Sequence, residues 1–323
     1  MSMTLEPDMF PISIDTFFGG RVAHVDLYLL IREKKYIKIV KKGDDYDIKR
    51  LRNYENKEVQ FVYINTSDIG VHVKNCVQIA RTLVRGPVIP TRNKAFVACR
   101  AAEAVLDEIY ALGLTDEAYN HVQEVCSAIK DLSQELTSLS DIYSELTNVS
   151  RKQYRHSIFT SFLSTIMGHA LQWTSIRSLN ILAIGGLVHD IGFVKLSPEI
   201  AEIETSDFTP EQLEEYKSHP EIGYNLIQHA QPQAREIALI VRDHHESPDG
   251  NGFPRGLTNG DIYPMARTVN FADQITHLIL DKKSPLADRN IREAVKYLKY
   301  KERQLFPELY WENLEKWFSK LDS

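Results

Sequence analysis

Residues 24–31, HVDLYLLI, interleave polar positions with apolar ones, and IKIVKK at 37–42 alternates between the two. A period of two sends successive side chains to opposite faces of a strand. With REKKY between the two runs and the turn residues GDD after them, this region predicts a β-hairpin. EVQFVYI (58–64) predicts a third strand, and GVHVKNCVQIARTLV (70–84) predicts a helix after it. A small α/β unit therefore occupies roughly residues 1–85, and RGPVIPTRN (85–93), with two prolines and a glycine, marks a boundary. From about Lys94 the apolar spacing becomes helical. AFVACRAAEAVLDEIYALG predicts a helix stopping at Gly113, and EAYNHVQEVCSAI and LSDIYSELTNVSRKQYRHSIFTSFLSTIMGHAL continue the helical pattern. No internal repeat or low-complexity tract interrupts it. The fold class expected is α+β, with an α/β N-terminus joined by helices to an all-α remainder.

One helix start is marked by its chemistry. In FTPEQLEEY, Thr209 predicts an N-cap, Pro210 the first helical position and Gln212 the partner that completes a capping box. The residue before a proline disfavours helical geometry, so this helix is expected to end before SHP. A new helix would then begin at Pro220, with His219 at the junction between the two.

Composition narrows the function classes. The net charge of -6 gives no general reason to bind a nucleic acid polymer. Cys76, Cys99 and Cys126 are scattered and form no CxxC pair, which suits a reducing, cytoplasmic setting over a disulfide framework. The opening MSMTLEPDMFPISIDTFFGG carries Glu6 and Asp8 and lacks the basic and apolar blocks of a signal peptide. No uncharged run approaches the ~18 residues that span a bilayer, and ILAIGGLV before His189 is far shorter, so no membrane span is expected.

Chemistry concentrates in an ordered series. His156 lies in RHSIFTSF, His189–Asp190 end NILAIGGLVHD, His219 lies in SHP, His244–His245 open HHESPDGNGFP, and Asp273 lies in an apolar helix. Imidazole suits borderline first-row ions, and a carboxylate can bridge two of them. Asp190 is the natural bridge. A buried carboxylate such as Asp273 needs a partner. These donors exceed what one tetrahedral site holds, which favours two ions roughly 3.5–4 Å apart. Singly, each residue is ordinary; the ordered set with a Gly-rich turn behind the histidine pair is not.

HDIG (189–192), HHESPDGNGFP (244–254) and MARTVNFAD (265–273) resemble the HD-GYP domain, a subgroup of the HD phosphohydrolase superfamily, over roughly residues 146–323. The resemblance implies an all-helical domain that holds two transition-metal ions, iron with manganese as the alternative. It implies hydrolysis of cyclic di-GMP to the linear dinucleotide or to GMP by water that the metal pair activates. By motif position the ligands are His156, His189, Asp190, His219, His244, His245 and Asp273, with Asp190 also catalytic. Lys195 is a catalytic candidate; Lys195, Arg267 and Lys282 are the basic candidates for the second phosphate. Phe253, Gly252 and Asp249 are expected at the substrate, the Phe253 ring clear of the ligands. Glu246 is either an acceptor orienting a ligand or a surface acid. Residues 1–145 become an N-terminal α/β regulatory domain with a helical connector from about 92. It suits a sensory role, a protein partner or a homodimer contact.

The chain also departs from that pattern. Phe253 stands where the family has tyrosine, Phe193 where it has lysine, Lys152 where many members have a glutamate that supports a third metal, and Thr276 in place of a second aspartate. DKKSP replaces an arginine-proline turn. The ligand set is kept while the substrate contacts are eroded, so turnover is expected to be weak or altered. The alternative is a cyclic di-GMP receptor that keeps its metal site but signals without efficient hydrolysis. A third reading, an HD phosphohydrolase of another nucleotide, is disfavoured by the DGNGFP loop. His24, His72, His121, His169, His229 and His277 are read as structural or surface residues.

Overall fold

The computed structural model describes residues 8–18, 22–32, 35–47, 51, 59, 61–136, 139–173, 175–201, 203, 207–280 and 291–321. The chain divides into two compact units, 1–125 and 126–323.

The first unit carries a four-stranded sheet of order β1-β4-β2-β3, with every pairing antiparallel. β1 is Met9–Ser13, β2 Leu27–Arg32, β3 Lys35–Val40 and β4 Phe61–Asn65. β2 and β3 form the hairpin that the alternation predicts. In β4 the period of two is visible, because Val62 and Ile64 are fully buried while their neighbours are partly exposed. β1 lies outside the expected strands. It contains Pro11, and a proline that cannot donate to a ladder is tolerated at a sheet edge, where β1 sits. Helix α1 (Ile69–Val84) buries Ile69, Val73, Cys76, Val77, Ala80 and Val84, a stripe at helical spacing, and packs against α2 (Thr91–Leu112). α2 ends where Gly113 takes φ +80°, a conformation that a side chain disfavours. Its interior holds the buried ion pair Arg100–Glu103 at 2.7 Å, and Glu108 pairs with His121 of α3 (Asp116–Glu135) at 2.8 Å. The boundary between the units falls within α3.

The second unit is helical. The long segment expected from residue 139 onward is two helices, α4 (Ser140–Leu146) and α5 (Lys152–Ala170). The break falls at Thr147–Ser150, where β-branched and short polar side chains weaken a helix. α5 is buried on every side, from Tyr154 and His156 through Gly168, which identifies a central helix. Around it pack α6 (Ile176–Val188), α9 (Pro264–Leu280) and α11 (Glu308–Leu321). Phe271 of α9 meets Phe306, Tyr310 and the fully buried Trp311 at ring separations of 4.8–5.6 Å, fixing α9 to the C-terminal helices. α8 (Arg235–Asp243) lies against α6, α7 (Pro210–Ala230) and α9, and α10 is Ile291–Glu302. Ile176–Lys195 is long and apolar enough to cross a bilayer at mean hydropathy 1.2, and 67% of it is buried within the protein. Its apolar residues serve the helical core.

α7 (Pro210–Ala230) starts as its sequence dictates. Thr209 and Gln212 exchange both hydrogen bonds of the capping box, at 2.9 and 3.3 Å. The expected break at Pro220 does not occur, and α7 runs through it. Pro220 has no N–H for the carbonyl of Tyr216, four residues back. That carbonyl instead accepts from His219 Nδ1 at 2.6 Å, so the acceptor that the proline orphans is satisfied and the helix continues.

Candidate metal centre

The seven residues singled out in the sequence come together in two adjoining groups. One comprises His156, His189 and Asp273, the other Asp190, His219, His244 and His245. Each is delivered by a helix or its end. His156 is near the start of α5, His189 caps α6 and Asp190 follows it. His219 is in mid-α7, His244–His245 follow α8, and Asp273 is in α9. Gly192 permits the turn after Asp190 to lie on α7, since a Cβ there would sit 2.0 Å from the His219 carbonyl oxygen.

Asp190 divides its carboxylate between the groups. Oδ1 lies 3.2 Å from His219 Nε2 and 3.7 Å from His244 Nε2, while Oδ2 lies 3.4 Å from His189 Nε2 and 3.9 Å from His156 Nε2. The imidazoles are oriented from behind. Nδ1 of His189, His219 and His244 donates to the carbonyls of Gly186, Tyr216 and Val241, at 2.9, 2.6 and 2.7 Å. A carbonyl can only accept, so each Nδ1 carries the proton and each Nε2 of a neutral ring presents a lone pair to the centre. His219 and His244 bring two such nitrogens to 3.3 Å, and His156 and His189 bring theirs to 3.2 Å. In the His219–His244 pair, two neutral lone pairs at that distance have no proton to share. Asp273 Oδ1 lies 2.7 Å from His156 Nε2, yet it is buried without a hydrogen bond. Facing lone pairs in one group and an orphaned carboxylate oxygen in the other fit cations, and the nitrogen and oxygen donors suit divalent first-row ions.

The electrostatics agree. Burial favours protonated carboxyls, but His189, His219 and His244 hold Asp190 well below the usual range, and His277, His156 and His189 do the same for Asp273. Burial pushes His156, His244 and His245 towards the neutral form. Burial opposes charge on His189 too, yet Asp190 and Asp273 raise it to about 10. The two carboxylates thus draw positive charge into the middle of the centre.

A cavity opens beside His156, Asp190, His245 and Asp273. Phe193, Phe208 and Tyr216 line one part of it, and Lys152, Gln153 and His277 also reach it. Tyr216, Asn270 and His277 at the centre were not assigned by the sequence reasoning. Tyr216 O–H is 3.3 Å from His245 Nε2, and burial followed by the two aspartates keeps it a phenol. Asn270 donates to the His244 carbonyl. His277, read as structural or surface, faces the centre with Nε2 3.5 Å from Asp273 Oδ1. Its spacing of four residues from Asp273 on one helix was the available signal.

The other expected contacts fall elsewhere. Lys195 is exposed and outside the cavity lining. Arg267 donates to the Asn259 side chain and the Leu305 carbonyl. Lys282 lies outside the described residues. The Phe253 ring is not clear of the ligands, since it stacks on His245 with centroids 4.6 Å apart. Asp249 is turned into its own loop, accepting from the Asn251 backbone and side chain at 3.1 and 2.9 Å. Gly252 is required by space, because a Cβ would meet Ser247 N at 2.2 Å and His245 O at 2.5 Å, and Gly250 takes φ +79°. Glu246 neither orients a ligand nor faces solvent. It is buried and accepts from the backbone N–H of Arg255 and Leu257, both at 2.7 Å. Thr276 donates to the Ala272 carbonyl within its helix.

A family model described as HD domain matches residues 122–307. This is more than half of the chain, and the chain belongs to the HD domain family. It is 31% identical over 127 residues to the cyclic di-GMP phosphodiesterase PdeB of Borreliella burgdorferi, covering 39% of this chain and 33% of that protein. It is 32% identical over 104 residues to the cyclic di-GMP phosphodiesterase response regulator RpfG of Xanthomonas campestris pv. campestris, covering 32% and 27%. A cyclic di-GMP phosphodiesterase of Thermotoga maritima is 25% identical over 158 residues, covering 49% and 42%. The chain thus spans well under half the length of these relatives. A solved HDG"Y"P protein of Bdellovibrio bacteriovorus, Bd1817, shares the fold over 97% of this chain and 100% of its own, at TM-score 0.72 and 21% identity.

Two outcomes are expected of the purified protein. Loading the metal-free protein with a divalent ion at pH 7.5 releases about one proton per chain from His189, because a ligand nitrogen must be bare. Apparent affinity therefore rises with pH up to about 10. Calorimetry in buffers of different ionisation enthalpy checks it, and heat independent of the buffer contradicts it. Pro220→Ala restores an N–H that competes for the Tyr216 carbonyl. Helix content is expected to stay, while metal affinity falls about tenfold through a less firmly oriented His219; circular dichroism and chelator titration read the two effects separately.

Proposed function

We propose that this chain is a metal-dependent phosphodiesterase that hydrolyses cyclic di-GMP to the linear dinucleotide or to GMP, with weak turnover. The observation that carries the reading is the Asp190 carboxylate, with one oxygen towards each histidine group, at the edge of an open cavity. The names of the relatives supply the substrate class.

Two ions are proposed, iron with manganese as the alternative. His156, His189 and Asp273 would hold one, His219, His244 and His245 the other, and Asp190 both. When bound, they supply Lewis acidity and a water acidic enough to attack phosphorus near neutral pH. The chain itself orients and excludes. The carbonyls of Gly186, Tyr216 and Val241 hold three imidazoles in one tautomer. Phe193, Phe208 and Tyr216 give the cavity an aromatic side suited to a nucleobase, and Lys152 and Gln153 offer polar contacts for the phosphoribosyl backbone. Lys195, Arg267 and Lys282 remain candidates for the distal phosphate. Arg267 would have to give up its hold on Leu305 to serve. We assign a regulatory role to the N-terminal unit, through a partner protein or a second copy of the chain. Three buried cysteines suit a cytoplasmic setting.

A specific observation favours a second reading, the receptor that keeps its metals. Phe193 stands in the cavity wall with its ring 4.6 Å from that of His219, so no cation from that position reaches phosphate. The deciding experiment incubates metal-loaded protein with cyclic di-GMP and follows binding and linear product together. Slow product formation that His189→Ala abolishes along with bound metal is expected. Tight binding without product selects the receptor, and absence of both removes the cyclic di-GMP assignment.

A further inference from the structure

The seven residues do not exhaust the donors at this centre. His277 stands one turn after Asp273 on α9, with its ring 4.4 Å from that of His156. It reaches the cavity, and its side chain is 51% exposed, so packing does not hold it there. Asp273 Oδ1 is the shared neighbour of three imidazole nitrogens, at 2.7 Å from His156, 3.7 Å from His189 and 3.5 Å from His277. First-row ions hold such donors at about 2.0–2.2 Å, so ligands at right angles around one ion stand about 3 Å apart. The observed distances straddle that spacing, and a half-exposed side chain can close the remainder by rotation.

We infer that His277 is a further ligand of the ion bound by His156, His189 and Asp273; the inference rests on the metal centre proposed above. With Asp190 Oδ2, that ion then has five protein donors. The other has four, from Asp190 Oδ1, His219, His244 and His245. The two ions are therefore unequal. The His277 side would hold its ion with one protein donor more than its neighbour.

The ordinary alternative is an i,i+4 ion pair in which His277 only balances the charge of Asp273. The two roles differ in sign. A charge partner repels an incoming cation, so its removal tightens metal binding, whereas removal of a ligand loosens it. The test loads metal-free wild type and His277→Ala with Mn(II) under anaerobic conditions. It then titrates both with a chelator while following metal per chain and the nitrogen couplings of the bound ion. The variant is expected to surrender one of its two ions at a chelator strength at least about tenfold lower, and to lose one imidazole nitrogen coupling. Coincident thermal melts of the metal-free proteins establish that the fold is unchanged. Equal or tighter retention by His277→Ala, with wild type holding two ions, overturns this inference and leaves the proposed function standing. Wild type that holds no Mn(II) or Fe(II) overturns both.

Discussion

Three backbone carbonyls set the chemistry of this centre. Gly186, Tyr216 and Val241 each accept from an imidazole three residues further along the chain, and that single geometry recurs in α6, α7 and α8. It works because carbonyls in the last turn of a helix lack intrahelical donors. His189 and His244 close α6 and α8, where such carbonyls are available without cost. His219 lies in the middle of α7, where none should be free, and Pro220 frees one. The proline is thus less a helix breaker than the means by which an interior histidine gains the same support as the two terminal ones.

Features that depend on near neighbours were legible in the chain. The capping box at Thr209, the alternation of β4 and the apolar stripe of α1 depend on neighbours a few residues away, so a local pattern suffices. β1 was missed because Pro11 argues against a strand until its edge position is known. The Pro220 break was expected from a backbone rule that ignored what a histidine side chain could supply. Residue type and order flagged the seven donors. The destinations of Arg267 and Glu246 could not be read, because they depend on Leu305, Arg255 and Leu257 and on how loops return to meet helices.

The loop behind the histidine pair shows how a motif can be structural in detail while serving a site. Buried Asp243 receives both Arg255 contacts at 2.9 Å, Glu246 takes two backbone N–H groups, and Phe253 N donates to the His245 carbonyl at 3.1 Å. Each of these ties the segment 249–257 back onto residues that flank His244–His245. Phe253 completes the enclosure by stacking on the second imidazole. In this position a ring without a hydroxyl performs the packing role against His245.

Support and contact are therefore made by different parts of the chain. Every acceptor behind His189, His219 and His244 is main chain, and only at His219 does a side chain, that of Pro220, keep the acceptor free. The groups that reach the cavity are side chains, and beside Lys152 one part of it is the aromatic surface of Phe193, Phe208 and Tyr216. Such a division lets a metal centre persist while ligand recognition shifts from charge towards stacking. Affinity for a cyclic dinucleotide can survive that shift, since base stacking contributes about 1–3 kcal/mol per base. Hydrolysis depends more heavily on charge placed where negative charge develops on the phosphate oxygens. Fewer cations at such a site would slow hydrolysis more than they weaken binding, and this asymmetry makes one architecture compatible with both a slow enzyme and a receptor.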